Sequence, residues 1–393
     1  MTDATDSAET RTAGAGRRGP LAGVRVVELA GIGPVPLAGM LLADLGAEVV
    51  RVDRPDAVPI IPLATDITSR GKRSVIVDLK RERGAAVVLD LAARADVLLE
   101  GLRPGVTERL GIGPEDCQAR NPALVYGRMT GWGQDGPLAQ AAGHDIAYVA
   151  VTGALHAIGR AGGPPQFPVN YLGDFGGGAM FLLTGVLAAL LEARGSGRGQ
   201  VVDAAIVDGT AALQAMTYSL LAAGHWRDER GVNLLDSGAP FYDVYETADR
   251  QWMAVGALEP KFYATFLSLL FDGAPPDLPQ GSPEKEARAV FAARFATRTQ
   301  AQWTAVFAGT DACVAPVASL AEAPLHPHLA ARSTYITAEG ITQPGVAPRF
   351  SRTPGSPGLI EQPGAHSREV LAAWGVAGAD ALLADGVVRA AAP

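Results

Sequence analysis

From Val24 onward the chain alternates short runs of β-branched and aliphatic residues with longer stretches whose apolar positions recur at helical spacing. VRVVELA, AEVVRVD, SVIVDL, DVLLEG and LVYGRMT read as strands, with helices near residues 37–45 and over RERGAAVVLDLAARA between them. Strands separated by helices of about ten residues or more predict βαβ units and a mostly parallel sheet covered by helices on both faces. Residues 143–153 and 176–191 read as helices, and QVVDAAIVDGTAALQAMTYSLLAAG as one further long helix. After Gly224 the texture changes. FYDVYETADRQWMAVGA predicts a hairpin turning near Ala248 and Asp249, helical runs follow at 261–270, 282–295 and 299–307, and ACVAPV reads as a late strand. The fold expected is α/β: a Rossmann-like large domain over 20–224 and a smaller α+β domain over 225–335. A disordered tail over 1–19 precedes them, and a segment over 336–393 follows, Pro-rich at 343–362 and ending in the helix SREVLAAWG.

Composition narrows the function classes. With 393 residues, 48% hydrophobic and 19% charged, the chain has a substantial core, which excludes a disordered protein or a small stapled scaffold. Cys117 and Cys313 stand far apart with no metal-ligand spacing, so no metal site and a reducing, cytoplasmic location are expected. A net charge of −8 argues against a nucleic-acid surface. Residues 51–110 nevertheless hold eleven of the 33 Lys and Arg and are near +2, which suits a small polyanion such as a coenzyme phosphate, or else solvated helix faces. The longest uncharged apolar run, 175–191, falls short of the ~20 residues that span a bilayer, so it reads as a buried helix and no membrane is expected.

Among the motifs, Gly31-Ile-Gly33 with Asp53 after the next strand imitates a dinucleotide fingerprint, but Pro36 stands where the third glycine should be. Asp174-Phe175-Gly176 spells the kinase triplet without the catalytic loop that should accompany it. It lies in GDFGGG, residues 173–178, directly ahead of an apolar helix. Glycines there admit a ligand to the backbone, and free amides at a helix start can stabilise an oxyanion; Asp174 is either a cap or a catalytic carboxylate. Gly143-His144-Asp145 sets a histidine beside a carboxylate, a pairing suited to proton transfer near neutrality. Glu259 ends a strand ahead of Pro260 and, on sequence alone, is accounted for as charge at a helix start.

The segments VRVVELAG, DLGAEVVRVDRP, RGKRSVIVDLK, LRPGVTERLG, GHDI, GDFGGG, GQVVDAAIVDG and GALEPKFY, in this order over residues 20–355, resemble the class III CoA-transferase superfamily, nearest its α-methylacyl-CoA racemase branch. The resemblance implies a cofactor-independent racemase of 2-methylacyl-CoA thioesters, with CoA as part of the substrate and transfer of the α-proton through an enolate. It puts the two bases on His144 and Asp174, with Glu259 supporting the histidine, Asn170 near the oxyanion and Asp145 beside the site. The Gly176 and Gly177 amides would meet the oxyanion. Arg54, Arg70, Lys72, Arg73 and Arg109 would hold the nucleotide or phosphates of CoA. An interlocked homodimer is implied, with Glu259 supplied by the partner. The alternative in the same superfamily is a CoA-transferase using Asp174 as nucleophile. The Pro-rich loop PDAVPIIPLAT departs from the family pattern.

Overall fold

The computed structural model describes residues 18–58 and 61–391. Residues 1–17 of the expected tail, and two positions of the Pro-rich loop, lie outside them. The chain divides into two compact units, one of residues 1–141, 178–205 and 336–393, the other of 142–177 and 206–335. Segments 142–177 and 206–224 therefore group with the second unit rather than with the large domain expected from sequence.

The first unit is built on a seven-stranded sheet. Its strands are β1 (Arg25–Leu29), β2 (Glu48–Asp53), β3 (Lys72–Val77), β4 (Val97–Glu100), β5 (Val125–Thr130) and β6 (Val201–Ala205). The short strand Val388–Arg389 completes the sheet at the edge of β3. Reading on from that edge strand, the order is β3-β2-β1-β4-β5-β6. These six strands are parallel, with Val26 opposite Val49 on one side and Val97 on the other; only the edge strand runs antiparallel. Runs of Val and Leu buried on both faces are what a parallel sheet under helices demands. Val27, Val50, Val75, Leu98 and Tyr126 pack with Val87 and Leu91 of the helix Glu82–Ala92 and with Trp374. The strand order reverses between β1 and β4, the topological switch point at whose carboxyl side ligands of such sheets bind.

The second unit carries an antiparallel sheet of β7 (Tyr242–Glu246), β8 (Trp252–Gly256) and β9 (Val314–Pro316). Helices Pro260–Leu270, Glu284–Phe295 and Gln300–Phe307 bring Phe266, Phe291, Phe295, Trp303 and Phe307 into an aromatic core. Trp303 donates its indole N–H to Phe295 O at 2.8 Å, so the one polar atom of that ring is satisfied within the core.

Two expectations are corrected. The apolar segment after Gln200 is not one helix: β6 takes its first residues, and Ile206–Leu213 and Ala215–Ala222 follow as separate helices. The helix expected over 176–191 runs from Tyr171 to Ser196, 26 residues, long and apolar enough to pass a length test for a membrane span. Leu182, Val186 and Leu190 are buried in the first unit, where the sheet provides an apolar partner.

Candidate active site

His144, Asp145, Asn170 and Asp174 all fall in the second unit. His144 immediately precedes the helix Asp145–Val151; its backbone is extended, its carbonyl accepts the Ala147 and Tyr148 amides, and its side chain is exposed. Asp145, the first residue of that helix, turns its carboxylate away from the helix and toward GDFGGG. Its Oδ1 accepts the Asp174 backbone N–H at 2.7 Å, and the Gly173 amide also donates to it. A Cβ on Gly173 would sit 2.3 Å from Asp145 Oδ1, so a glycine at 173 is what lets this carboxylate reach the backbone.

The backbone around Asp174 is a wide helical turn. Residues Tyr171–Ala179 form a π-helix, and the Phe175 N–H bonds to the Asn170 carbonyl five residues back. Such widened turns are rare and concentrate at functional sites. The turn brings the Asn170 side-chain amide over the carboxylate, Nδ2 to Asp174 Oδ2 at 3.4 Å.

Among the described residues no Lys or Arg is hydrogen-bonded or ion-paired to either carboxylate. Burial pushes the Asp174 carboxyl above the usual aspartate range; the Asn170 hydrogen bond opposes this, the Asp145 charge adds to it, and the nearby His144 subtracts from it. His144 is thus close enough for its charge to act on Asp174. Burial likewise raises Asp145, against the two backbone hydrogen bonds it accepts. The result is a histidine within electrostatic reach of a carboxylate whose proton affinity burial has raised, with the backbone of the second fixed by Asp145.

The glycine expectation is corrected. The helix begins at Tyr171, so Gly176 and Gly177 lie inside its turns and do not offer free amides at its start. The first-turn amides of Gly173 and Asp174 are already taken by Asp145. Gly177 has a packing role instead: a Cβ there would lie 2.5 Å from Thr210 Oγ1 and 2.7 Å from the Thr210 backbone nitrogen, on the helix Ile206–Leu213.

Glu259 precedes the helix Pro260–Leu270 and makes no side-chain cap bond; its charge is felt by Cys313. Among the described residues no hydrogen bond or ion pair joins it to His144 or Asp174. Beside the π-turn, Leu172 lines a cavity of about 650 Å³ together with Ile158, Leu213, Trp226, Leu235 and Arg160.

The basic residues, all in the first unit, separate into two kinds. Arg70 is 1% exposed and spends its guanidinium on Asp44 (3.1 and 2.5 Å), Gln343 (2.9 Å) and the Pro344 carbonyl (2.6 Å). Lys72 is 2% exposed and bonds both oxygens of Glu28 (2.8 and 2.6 Å) and the Pro36 carbonyl (2.8 Å). Neither has a donor face to present to a phosphate, so the phosphate role expected of them is corrected: they neutralise buried carboxylates at the sheet. Arg73 lies between Glu48 and Glu369 at 3.4 and 3.2 Å. Arg54 and Arg109 are exposed and carry no hydrogen bond or ion pair among the described residues. Arg103, one of the eleven cations of the basic segment 51–110, is a third of that kind among the described residues. Among the described residues no group of three or more His, Cys, Asp or Glu side chains could hold a metal ion.

Residues 21–366 match the model of CoA-transferase family III. The chain is 47% identical over 362 residues to the alpha-methylacyl-CoA racemase of Mus musculus, covering 90% of this chain and 93% of that protein. It is 44% identical over 364 residues to the alpha-methylacyl-CoA racemase of Homo sapiens, with the same coverage. A crystal structure of a CAIB/BAIF family protein from Brucella suis shares the fold, with a TM-score of 0.78 at 24% identity over 91% of this chain and 100% of that one.

Proposed function

The chain belongs to CoA-transferase family III, and we propose that it is an isomerase that interconverts the C2 epimers of 2-methylacyl-CoA thioesters by moving one proton. The observation that carries this reading is that His144 lies within electrostatic reach of an Asp174 whose carboxyl burial holds above its usual range and which, among the described residues, has no Lys or Arg bonded to it.

A proton α to a thioester carbonyl is weakly acidic, so its removal needs a base at hydrogen-bond distance and a donor for the enolate oxygen. For one epimer, Asp174 takes the proton from C2; the C–H electron pair moves into the C1–C2 bond and onto the thioester oxygen. Protonated His144 then delivers its proton to the other face of C2, and the enolate collapses to the inverted thioester. For the opposite epimer the two exchange roles. An aspartate that holds a proton readily is better matched to this task than one pinned ionised by an arginine. Asn170 spends one amide hydrogen on Asp174 and has a second for the enolate oxygen. Asp145 acts through the backbone of Gly173 and Asp174 and is a positioning residue. No redox, metal or group-transfer cofactor enters these steps, and CoA is carried by the substrate.

A second copy of the chain completes the site in this reading. Helix Ala215–Ala222 has no buried residue, and Met216, Tyr218 and Leu221 are 62%, 57% and 42% exposed, an apolar face suited to a homodimer interface. Glu259, whose side chain has no hydrogen bond or ion pair among the described residues, then supports the histidine of its partner. Two free cysteines, Cys117 buried and Cys313 exposed, fit a reducing cytoplasm.

The test is to incubate one epimer of a 2-methylacyl-CoA in deuterated water with no free carboxylic acid and follow C2 deuterium and optical purity together. Deuterium uptake with loss of optical purity is expected. An unlabelled thioester whose CoA moves only when a carboxylic acid is added would instead make Asp174 the nucleophile of a transferase.

A further inference from the structure

The cavity of about 650 Å³ beside the π-turn is not used by the proton transfer. Its place follows from how the turn presents its side chains. Asn170 and Asp174, four residues apart, share one face, where the Asn170 amide meets the carboxylate. Leu172 and Gly176 share another: Leu172 lines the cavity, and a Cβ on Gly176 would sit 3.4 Å from Cδ1 of Leu213, which lines it too. Residues two apart on a helix do not face the same way, so the cavity lies against the back of the turn that carries Asp174. The loop over 225–241, which has no helix or strand, walls it with Trp226 and Leu235. That loop is braced from within. Asn233, 6% exposed, accepts the Arg227 N–H at 2.7 Å and donates Nδ2 to the Arg227 and Glu229 carbonyls at 3.1 and 2.8 Å. Arg230 Nε then ties the loop to the Gly163 carbonyl, 3.0 Å away on another wall. A preformed, largely apolar cavity of this size is what a small-molecule site requires.

Charge specifies one end of the ligand. Arg160 lines this cavity and a neighbouring one of about 440 Å³, and its side chain is 57% exposed. It pairs with Asp243, a buried carboxylate that Arg288 also claims. Arg288 is held in place by the Ser237 and Gly238 carbonyls at 2.7 and 2.8 Å. Two guanidiniums on one carboxylate leave a positive charge over, and Arg160, the more exposed of the two, presents it. Asp236 is the one acid among the described lining residues, and its oxygens already accept the Gly231, Asn233 and Gly238 backbone N–H groups at 2.8, 2.7 and 3.2 Å and Asn233 Nδ2 at 2.8 Å. An apolar cavity with a guanidinium in its wall suits an apolar chain that ends in a carboxylate.

We infer that this cavity is a second ligand site, behind the catalytic turn and separate from the substrate, for a free carboxylic acid of fatty-acid type. Its chain lies against Leu172, Ile158, Trp226 and Leu235, and its carboxylate meets Arg160. The experiment is calorimetric titration of the full chain with dodecanoate and with 1-dodecanol, which has the same chain and no charge. Dodecanoate is expected to bind about tenfold more tightly than the alcohol, near the worth of hydrogen bonds to a charged group. Arg160→Met leaves Asp243 paired with Arg288 and is expected to bring dodecanoate down to the affinity of the alcohol, with the alcohol unchanged. Ala157→Phe fills the cavity from its wall and is expected to abolish binding of both while the thermal midpoint and the racemisation rate stay as in the wild type. Saturation with a 2-methylacyl-CoA is expected to leave the dodecanoate affinity unchanged. Absence of saturable dodecanoate binding, displacement of dodecanoate by the thioester, equal affinity for acid and alcohol, or binding that survives Ala157→Phe would overturn the inference. The readout is binding of the free acid, so the result does not depend on whether C2 is inverted.

Discussion

Carboxylates at the parallel sheet and at the proton-transfer site are handled in opposite ways. At the sheet Glu28, Asp44 and Glu100 are each fully buried, and each faces a cation: Lys72, Arg70 and Arg128. Around Asp174 two half-buried carboxylates receive only amide hydrogen bonds. The sheet pairs hold shape, since losing one partner strands a buried charge. The unpaired carboxylates keep a proton affinity that catalysis can use. Cationic residue type alone therefore says little about which arginine meets substrate; whether a carboxylate already claims it says more.

The largest effect separates these roles at Asp174 itself. Asp174→Asn is expected to slow racemisation about a thousandfold. Because burial raises this carboxyl in the folded chain, its contribution to stability is full below the unfolded value and lost as pH rises through the folded one. At neutral pH the ionised aspartate is a liability, so the same variant should raise the thermal midpoint. A lowered midpoint would place Asp174 with the structural carboxylates.

Arg70→Met tests the other side. It strands Asp44 in the interior and is expected to cost about 3–5 kcal/mol in denaturant unfolding. A stable variant with specifically weakened CoA binding would restore Arg70 to the substrate.

Gly173→Ala drives a methyl into Asp145 Oδ1 and should displace the Asp174 backbone. Turnover is expected to fall about a hundredfold with little change in KM, since small misplacements of a reacting group are that costly. Equal losses in kcat and substrate binding would point to general unfolding of the turn. The mildest change, Asp145→Asn, keeps an acceptor oxygen and removes the charge; about a tenfold loss in kcat is expected, near the worth of a hydrogen bond to a charged group. It should also move the acid limb of the pH–rate profile down, because one cause of the raised Asp174 carboxyl is gone.

Local pattern made the first unit legible. The Val-rich runs from VRVVELA to LVYGRMT coincide with β1 to β5, since a strand buried on both faces has few alternatives to β-branched residues. The hairpin and helices after Gly224 were equally visible from alternation and period. What pattern did not reveal depends on contacts distant in sequence. The π-turn at Asp174 is held by Asp145, 29 residues away, and the burial of Arg70 depends on Asp44 and on Gln343, 273 residues further on. Strand β6 was absorbed into an apparent helix because its alanines and valines suit both states. Within the site, GHDI and GDFGGG marked the reacting groups, whereas the spent or free state of each arginine had no signature in its neighbours.

The central claim is that Asp174 and His144 serve opposite faces of C2. The direct measurement is C2 deuterium uptake by Asp174→Asn in deuterated water, with each 2-methylacyl-CoA epimer supplied separately. The account predicts that one epimer, the one whose proton His144 removes, exchanges without inverting while the other stays unlabelled. Exchange of both epimers, or continued racemisation, would contradict it.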